Sequence, residues 1–377
     1  MMLKKWSDVL TIVSGKNQKA VASPNGPYPI YGSGGVMGRA DDFLCAAGTT
    51  IVGRKGTINC PIFVNEPFWN VDTAFGISPG DELHPKYLYF FCCSFNFKEL
   101  DKSTTIPSLA KRDLLQIQMP VPPLSEQERI VSKIEELFSK LDASVAELQT
   151  AKEKLKVYRQ AVLKEAFDPV SKEKILLEDI IEKPRYGTSK KCSYAYKNGF
   201  KAVYRIPNIC YQNGSIDHKD IKYAGFSDDE LKNLDLIEND LLIIRSNGSV
   251  SLVGRSSIVK AEDCDATFAG YLIRLRLKKP SEVLSKFLHY FLESHAARTY
   301  IEHVAKSTSG VNNINSNEIS NLPVPKCDDF DMQAQTVVKI ETNLSICDDI
   351  QQTIDTSLQQ AEALRQSILK QAFEGEL

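Results

Sequence analysis

Three stretches combine glycine with cationic and hydroxyl or amide side chains. They are Tyr31-Gly32-Ser33-Gly34-Gly35-Val36-Met37-Gly38-Arg39, Gly53-Arg54-Lys55-Gly56-Thr57-Ile58-Asn59 and Arg245-Ser246-Asn247-Gly248-Ser249. Loops of this kind suit close approach to a nucleic-acid backbone. Glycine removes bulk, Ser, Thr and main-chain N–H groups bind phosphate oxygens, and Arg and Asn make two-pronged contacts to guanine or adenine edges. Asn312, Asn313 and Asn315 add a further polar stretch. Ordinary β-turn chemistry draws on the same residue types, so both readings stay open from composition alone.

Catalytic patterns are near misses. The glycines at 32, 34 and 38 fail G-x-G-x-x-G because position 37 is Met, and no βαβ unit surrounds them. Gly48 to Lys55 follows a P-loop only as far as Gly53, where Arg-Lys replaces Lys-Ser/Thr. The histidines at 84, 218, 289, 295 and 303 form no H-E-x-x-H, and G-x-S-x-G is absent. Asn65-Glu66-Pro67-Phe68 has Glu where an amino-methyltransferase tetrapeptide requires Pro. Glu230-Leu231-Lys232 with Asp217 or Asp220 reads as acid-rich surface rather than a nuclease centre.

The elements that would carry the loops repeat. Val131-Ser132-Lys133-Ile134-Glu135 returns as Val337-Val338-Lys339-Ile340-Glu341. Gln160-Ala161-Val162-Leu163-Lys164-Glu165-Ala166-Phe167 returns as Gln366-Ser367-Ile368-Leu369-Lys370-Gln371-Ala372-Phe373. The offset is 206 in both cases (337 − 131 and 366 − 160), as one uninterrupted helix requires. Pro120-Val121-Pro122 and Pro323-Val324-Pro325 precede the two segments, and Ile51-Val52-Gly53-Arg54 is echoed by Ile243, Ile244 and Arg245. Ser125-Glu126-Gln127-Glu128 reads as a capping box, with Asp331 as its counterpart. Ile134, Leu141, Leu148, Leu155 and Val162 form a heptad seam, matched by Ile340, Cys347, Ile354, Ala361 and Ile368. Ile130, Leu137, Ala151 and Tyr158 form a second stripe on the first helix, and Ile350 and Leu364 lie beside the other seam. Small residues facing large ones suit mutual packing of the two helices, the first about 65 Å long at 1.5 Å per residue. Segments 49–52, 241–244 and 271–277 read as strands, and 86–97 and 285–304 as helices.

At 377 residues the chain exceeds one ordinary domain. Nine scattered cysteines without C-x-x-C favour a reducing cytoplasm over a disulfide framework or zinc site. No run of 18 apolar residues predicts a membrane span, and the initial Met-Met-Leu-Lys-Lys-Trp lacks the apolar core of a secretory signal. Residues 1–123 carry net charge +2, 124–168 −1, 169–325 +3 and 326–377 −6. Acid thus gathers on the helices, a modest bias toward globules that touch phosphate.

Pro120-Val121-Pro122-Pro123-Leu124-Ser125-Glu126-Gln127-Glu128-Arg129-Ile130-Val131, with Lys133-Ile134-Glu135 and Leu137-Phe138, resembles the central helical region of the specificity subunit of type I restriction–modification systems. The ending Leu369-Lys370-Gln371-Ala372-Phe373-Glu374-Gly375-Glu376-Leu377 resembles it too. So do Gly53-Arg54-Lys55-Gly56-Thr57-Ile58, Asp72-Thr73-Ala74-Phe75 and Thr104-Thr105-Ile106-Pro107-Ser108-Leu109 in the first globule. Met332-Gln333-Ala334-Gln335-Thr336 departs from the pattern of Glu126-Gln127-Glu128-Arg129-Ile130.

The resemblance implies an α+β fold with a pseudo-twofold internal repeat. Two α/β target recognition domains, 1–123 and 169–327, alternate with a central spacer helix, 124–168, and a C-terminal one, 328–377, which pair as an antiparallel coiled coil. It implies a non-enzymatic reader of a split, asymmetric site in double-stranded DNA, with the helices as a ruler. Two modification (methyltransferase) subunits would dock on the helices and restriction subunits would join them. No cofactor is expected in this chain; S-adenosylmethionine, ATP and Mg2+ belong to the partner subunits, and the location is cytoplasmic. The expected DNA contacts are Arg39, Arg54, Lys55, Thr57, Asn59, Lys111, Arg205, Asn208, Arg245, Asn247 and Ser249. Ile134, Leu141, Leu148, Leu155, Val162, Ile340, Ile354 and Ile368 are the expected interhelix or partner contacts. The competing readings are a coiled-coil adaptor that binds proteins only and a self-contained nuclease or methyltransferase.

Overall fold

A computed structural model describes residues 2–279, 281–305, 307–308 and 310–377. The chain packs into two compact units. The first holds the described residues through Thr150 together with Ile354–Leu377, and the second holds Ala151–Thr353.

In the first unit, a four-stranded antiparallel sheet runs Leu10–Ser14, Ala74–Pro79, Thr49–Gly53, Ile62–Val64. Its central strand is buried along its whole length, which explains the unbroken β-branched run Thr49-Thr50-Ile51-Val52. A smaller sheet orders Gly35–Ala40, Tyr28–Gly32 and Trp69–Asn70, with one antiparallel and one parallel pairing. Helix Pro85–Ser94 covers the large sheet, and its Tyr87, Phe90 and Phe91 enter the core with Trp6, Phe97 and Leu114.

The second unit rebuilds this plan from a different sequence. Its four-stranded sheet runs Arg185–Tyr186, Leu272–Leu275, Leu241–Ile244, Ser256–Ile258. Its smaller sheet runs Lys222–Gly225, Phe200–Tyr204, Thr267–Phe268, again with one antiparallel and one parallel pairing. In each unit, an N-terminal strand pairs with the proline-rich strand that leads into a long helix. These pairs are Leu3–Lys5 with Gln118–Pro120 and Lys174–Leu176 with Pro323–Pro325. Among the described strands, parallel pairing is confined to one strand pair per unit, so the class is α+β.

Where one helix over 285–304 was expected, two form, Glu282–Glu293 and His295–Val304. Ser294 is extended (φ −68°, ψ 154°) and its hydroxyl accepts from Ala297 N–H, so it caps the second helix and breaks the first. Similarly, 86–97 closes as Pro85–Ser94 followed by a 3-10 turn at Phe97–Leu100.

The long helices span Leu124–Phe167 and Phe330–Glu374. Their starts correct the expected caps. The first helix begins at Leu124, and the Pro123 carbonyl accepts from Glu126 and Gln127 N–H, which leaves Ser125 inside the first turn. On the second, Asp329 rather than Asp331 is the cap, accepting from Asp331 and Met332 N–H at 2.9 and 3.3 Å.

Pairing of the helices is antiparallel within each unit. In the first, Arg129 donates to the Leu377 carbonyl at 2.9 Å, while Arg365 pairs with Asp142 and lies 4.3 Å from the Phe138 ring. In the second, Lys339 pairs with Glu165 at 2.8 Å and Arg159 with Asp348. Ile134, Leu155, Val162, Ile340, Cys347, Ile354, Ala361 and Ile368 are buried, and Leu141 and Leu148 half-buried; Ile134 and Ile340 join the cores of their own units. The companion stripe does not extend along the helices: Ile130 is buried, but Ala151, Tyr158, Ile350 and Leu364 are exposed.

Each helix ends in an aromatic that locks into the unit it reaches. Phe167 meets Phe287 and Phe291 edge-on at 5.2 and 5.4 Å. Phe373, its repeat partner, meets Tyr87 and Phe91 at 5.1 and 5.3 Å.

Candidate nucleic-acid interface

The sheet geometry places two arginines in matching positions. Arg54 directly follows the buried strand Thr49–Gly53, and Arg245 directly follows Leu241–Ile244. The Arg54 N–H donates to Thr73 O at 2.8 Å and that of Arg245 to Tyr271 O at 2.8 Å. The Arg54 carbonyl accepts from Leu109 N–H at 2.9 Å and that of Arg245 from Ile314 N–H at 3.0 Å. Both guanidinium groups lie beside an aromatic ring, Phe75 at 5.8 Å and Tyr186 at 4.5 Å. A strand buried along its length, pinned on both sides, thus delivers a cation to the surface at the same point of each unit.

Around Arg54, the turn through Thr57 is tight. A side chain at Gly53 would stand 2.0 Å from the Thr57 carbonyl, so only glycine fits. Gly56 N–H donates to Pro107 O at 2.9 Å, and Lys55 bridges Ser108, which brings the 104–109 stretch alongside. Lys55 and Thr57 are exposed there, and Arg54 makes one long contact, 3.4 Å to Asp72 O.

Around Arg245, Tyr186, Gly187, Thr188, Ser189, Lys190, Lys191, Cys192, Arg205, Lys222, Ala269, Gly270 and Tyr271 line a cleft of about 840 Å³. Its ionisable lining is cationic apart from tyrosine and one thiol. Lys190 is held by Glu230 at 2.7 Å, and Arg205 by Asp220 at 2.9 Å. Hydrogen bonds from Tyr194 and then Arg205 hold the Asp220 carboxyl below the usual carboxylate range. Burial pushes the Cys192 thiol up, which keeps it protonated.

Several residues expected to touch DNA also bond within the protein. Asn208 is 0% exposed; its side chain accepts from Arg205 N–H at 2.8 Å and donates to Asp217 O and Asp220 O at 2.8 and 3.1 Å. Asn59 accepts from Phe97 N–H at 2.7 Å, and Lys111 donates to Ile12 O at 2.6 Å. Arg39, although exposed, donates to Gly26 O and Pro27 O, both at 2.6 Å. The glycine-rich polar pattern therefore carried both readings at once, loop presentation for some residues and turn closure for others. Asn247 accepts from Ser249 N–H at 2.9 Å while Ser249 remains exposed. Tyr186, Lys191 and Tyr271 join the cleft without having been singled out; the Lys190-Lys191 doublet was the one sequence signal for them.

Among the described residues, no cluster of three or more His, Cys, Asp or Glu side chains could hold a metal ion. No described helix is long and apolar enough to cross a membrane.

Comparison with known proteins agrees with this architecture. Residues 1–153 match the family model of the type I restriction modification DNA specificity domain. The chain is 31% identical over 279 residues to the type I restriction enzyme EcoKI specificity subunit of Escherichia coli K12. That match covers 69% of this chain and 58% of the relative. It is 27% identical over 320 residues to the StySPI specificity subunit of Salmonella potsdam, covering 80% of this chain and 67% of the relative. Among solved structures, one from a study of complex assembly and conformational transition of the type I R-M system covers 100% of this chain and 98% of its own. Its TM-score is 0.77 at 16% identity. The HsdS subunit of Thermoanaerobacter tengcongensis gives 0.57 at 16% identity, covering 100% of this chain and 97% of its own. These two show the fold. The chain belongs to the specificity-subunit family of type I restriction–modification systems. It spans 58% of the length of the Escherichia coli relative.

Proposed function

We propose that this chain reads DNA sequence for a type I modification complex, each unit contacting one half of a split site in double-stranded DNA. The observation that carries the reading is the matched pair Arg54 and Arg245, one cation at the same structural point of two otherwise different surfaces. Equivalent frames with unequal loops suit unequal half-sites, and phosphate contacts position such loops while base edges specify them. Arg54, Lys55, Thr57, Arg245, Asn247 and Ser249, exposed or half-buried, are the DNA contacts of this reading.

The chain itself is non-catalytic in this account. The helix pair, with exposed Tyr158, Val338, Ile346, Ile350 and Leu364 along its length, offers apolar surface to two methyltransferase subunits. S-adenosylmethionine sits on those subunits, and ATP and Mg2+ on restriction subunits where present. The site of action is the cytoplasm, where the host DNA lies.

Co-expression with a cognate modification subunit, followed by mapping of methylated adenines, tests the reading. It expects one bipartite motif in DNA from cells that carry both chains and none from either alone. A protein-only adaptor leaves the DNA unmodified, and methylation or cleavage by the purified chain alone overturns the non-catalytic assignment.

A further inference from the structure

Arg245 differs from the other arginines that structure its unit. Arg205, Arg255, Arg274, Arg276 and Arg298 are each tied to a carboxylate or a backbone carbonyl. The buried Nε of Arg245 has no partner, as in Arg205, Arg274 and Arg298, but those three bond through their Nη atoms, whereas the Arg245 side chain donates to no protein group among the described residues. A guanidinium has five donors in a rigid plane, and a half-buried one left without any acceptor is uncommon.

An aromatic ring nevertheless lies against it. The guanidinium carbon lies 4.5 Å from the Tyr186 ring centroid. Tyr186 is immobilised in turn: its hydroxyl donates to Ser316 Oγ at 3.1 Å and accepts from Ser316 N–H at 2.8 Å. Both main-chain groups of Arg245 are hydrogen-bonded, as described above. An ammonium finds a phosphate oxygen from many angles, whereas a held guanidinium plane suits a two-pronged partner, a phosphate or a base edge. The two-pronged contact to guanine O6 and N7 requires the plane to be set.

Resting on the proposed function, the geometry points to Arg245 as the specificity-determining residue of the second unit. It reads a guanine in the major groove of one half-site, with Tyr186 as its positioning platform. Lys191, which lines the same cleft with no ion pair among the described residues, and Lys222, which lies 4.7 Å from the Tyr194 ring, supply phosphate contacts. The ligand class is duplex DNA with a G·C pair at a fixed place in one half-site.

The test maps methylation motifs with the full chain assembled on its modification subunits. Wild type is compared with Arg245→Ala, Arg245→Lys, Tyr186→Leu and Lys191→Ala. Arg245→Ala should lower discrimination for one G·C pair in one half-site by roughly 10- to 100-fold, with the other half unchanged. Arg245→Lys should relax the same position, because a point charge cannot make the paired contact. Tyr186→Leu should relax it partially. Lys191→Ala should weaken binding across all sequences without changing the motif. The unchanged half-site reports a folded, assembled complex in every variant. An unaltered motif in Arg245→Lys, or uniform weakening in Arg245→Ala, makes Arg245 a phosphate contact and overturns the inference. Absence of any bipartite motif in wild type would instead overturn the proposed function.

Discussion

Gln127 and Gln333 do the same work in the two units, each reaching back from the first turns of a long helix to the segment that leads into it. The Gln127 Nε2 donates to Pro122 O and Glu82 O, both at 2.8 Å, and its Oε1 accepts from His84 N–H at 2.8 Å. The Gln333 Nε2 donates to Cys327 O at 2.6 Å. Both side chains are buried. The residues flanking them differ, so the apparent departure of Met332–Thr336 from the first helix leaves its one anchoring position intact.

Gln127→Ala would strand a backbone N–H and two carbonyls. It should cost about 2–3 kcal/mol, against about 1–2 kcal/mol for Gln333→Ala with its single bond. Denaturant unfolding of the full chain, following the transition of each unit, measures both. Equal costs would contradict the assigned bonding.

The aromatic ends of the helices make a second test. Phe167→Ala removes a buried ring from between Phe287 and Phe291 and should destabilise the second unit by about 3–5 kcal/mol. Phe167→Leu should recover most of that loss. Hydrogen exchange localised to 285–292 reads the effect; unchanged protection there would show that the ring does not anchor the helix.

Acid should loosen the second unit through His289. Burial, aided by the nearby Arg255 charge, lowers its pKa from 6.5 to about 4, and its Nδ1 lies 2.9 Å from Ser256 Oγ. The unfolded chain binds this proton at higher pH than the folded one. Stability is therefore fully present above 6.5 and falls as pH drops toward about 4. Thermal melts across that window should show a decline that His289→Gln reduces. An identical pH profile in that variant would contradict the assignment.

Much of this was legible in the residues. The two long helices and the strand 241–244 form where the residues predict them, because each rests on a local periodic or apolar signal that burial reinforces. The caps were less legible. Ser125 fits a capping box, but Pro123 already supplies the carbonyl that the helix start needs. Site residues were least legible. Asn208 and Ser249 are both turn-forming residue types, yet one closes a buried turn and the other faces solvent, a distinction set by long-range packing. Tyr186 is marked by nothing beyond the neighbouring Lys190-Lys191 doublet, since its role depends on Ser316, 130 residues away.

The helix pair should govern distance rather than bases. Inserting or deleting residues within 147–156 should alter the gap between methylated half-sites and leave the bases of each half unchanged. Motif mapping of a one-heptad insertion checks this; altered bases with an unchanged gap would refute the ruler role.

The division of labour between units is tested most directly by mapping methylation motifs for Arg54→Ala and Arg245→Ala side by side in the assembled complex. Each substitution should cost about 1–3 kcal/mol at its own position. The expected result is relaxation of one half-site by the first and of the opposite half-site by the second. Loss of the same half-site in both, or no change in either, would contradict a chain that reads DNA with two independent hands.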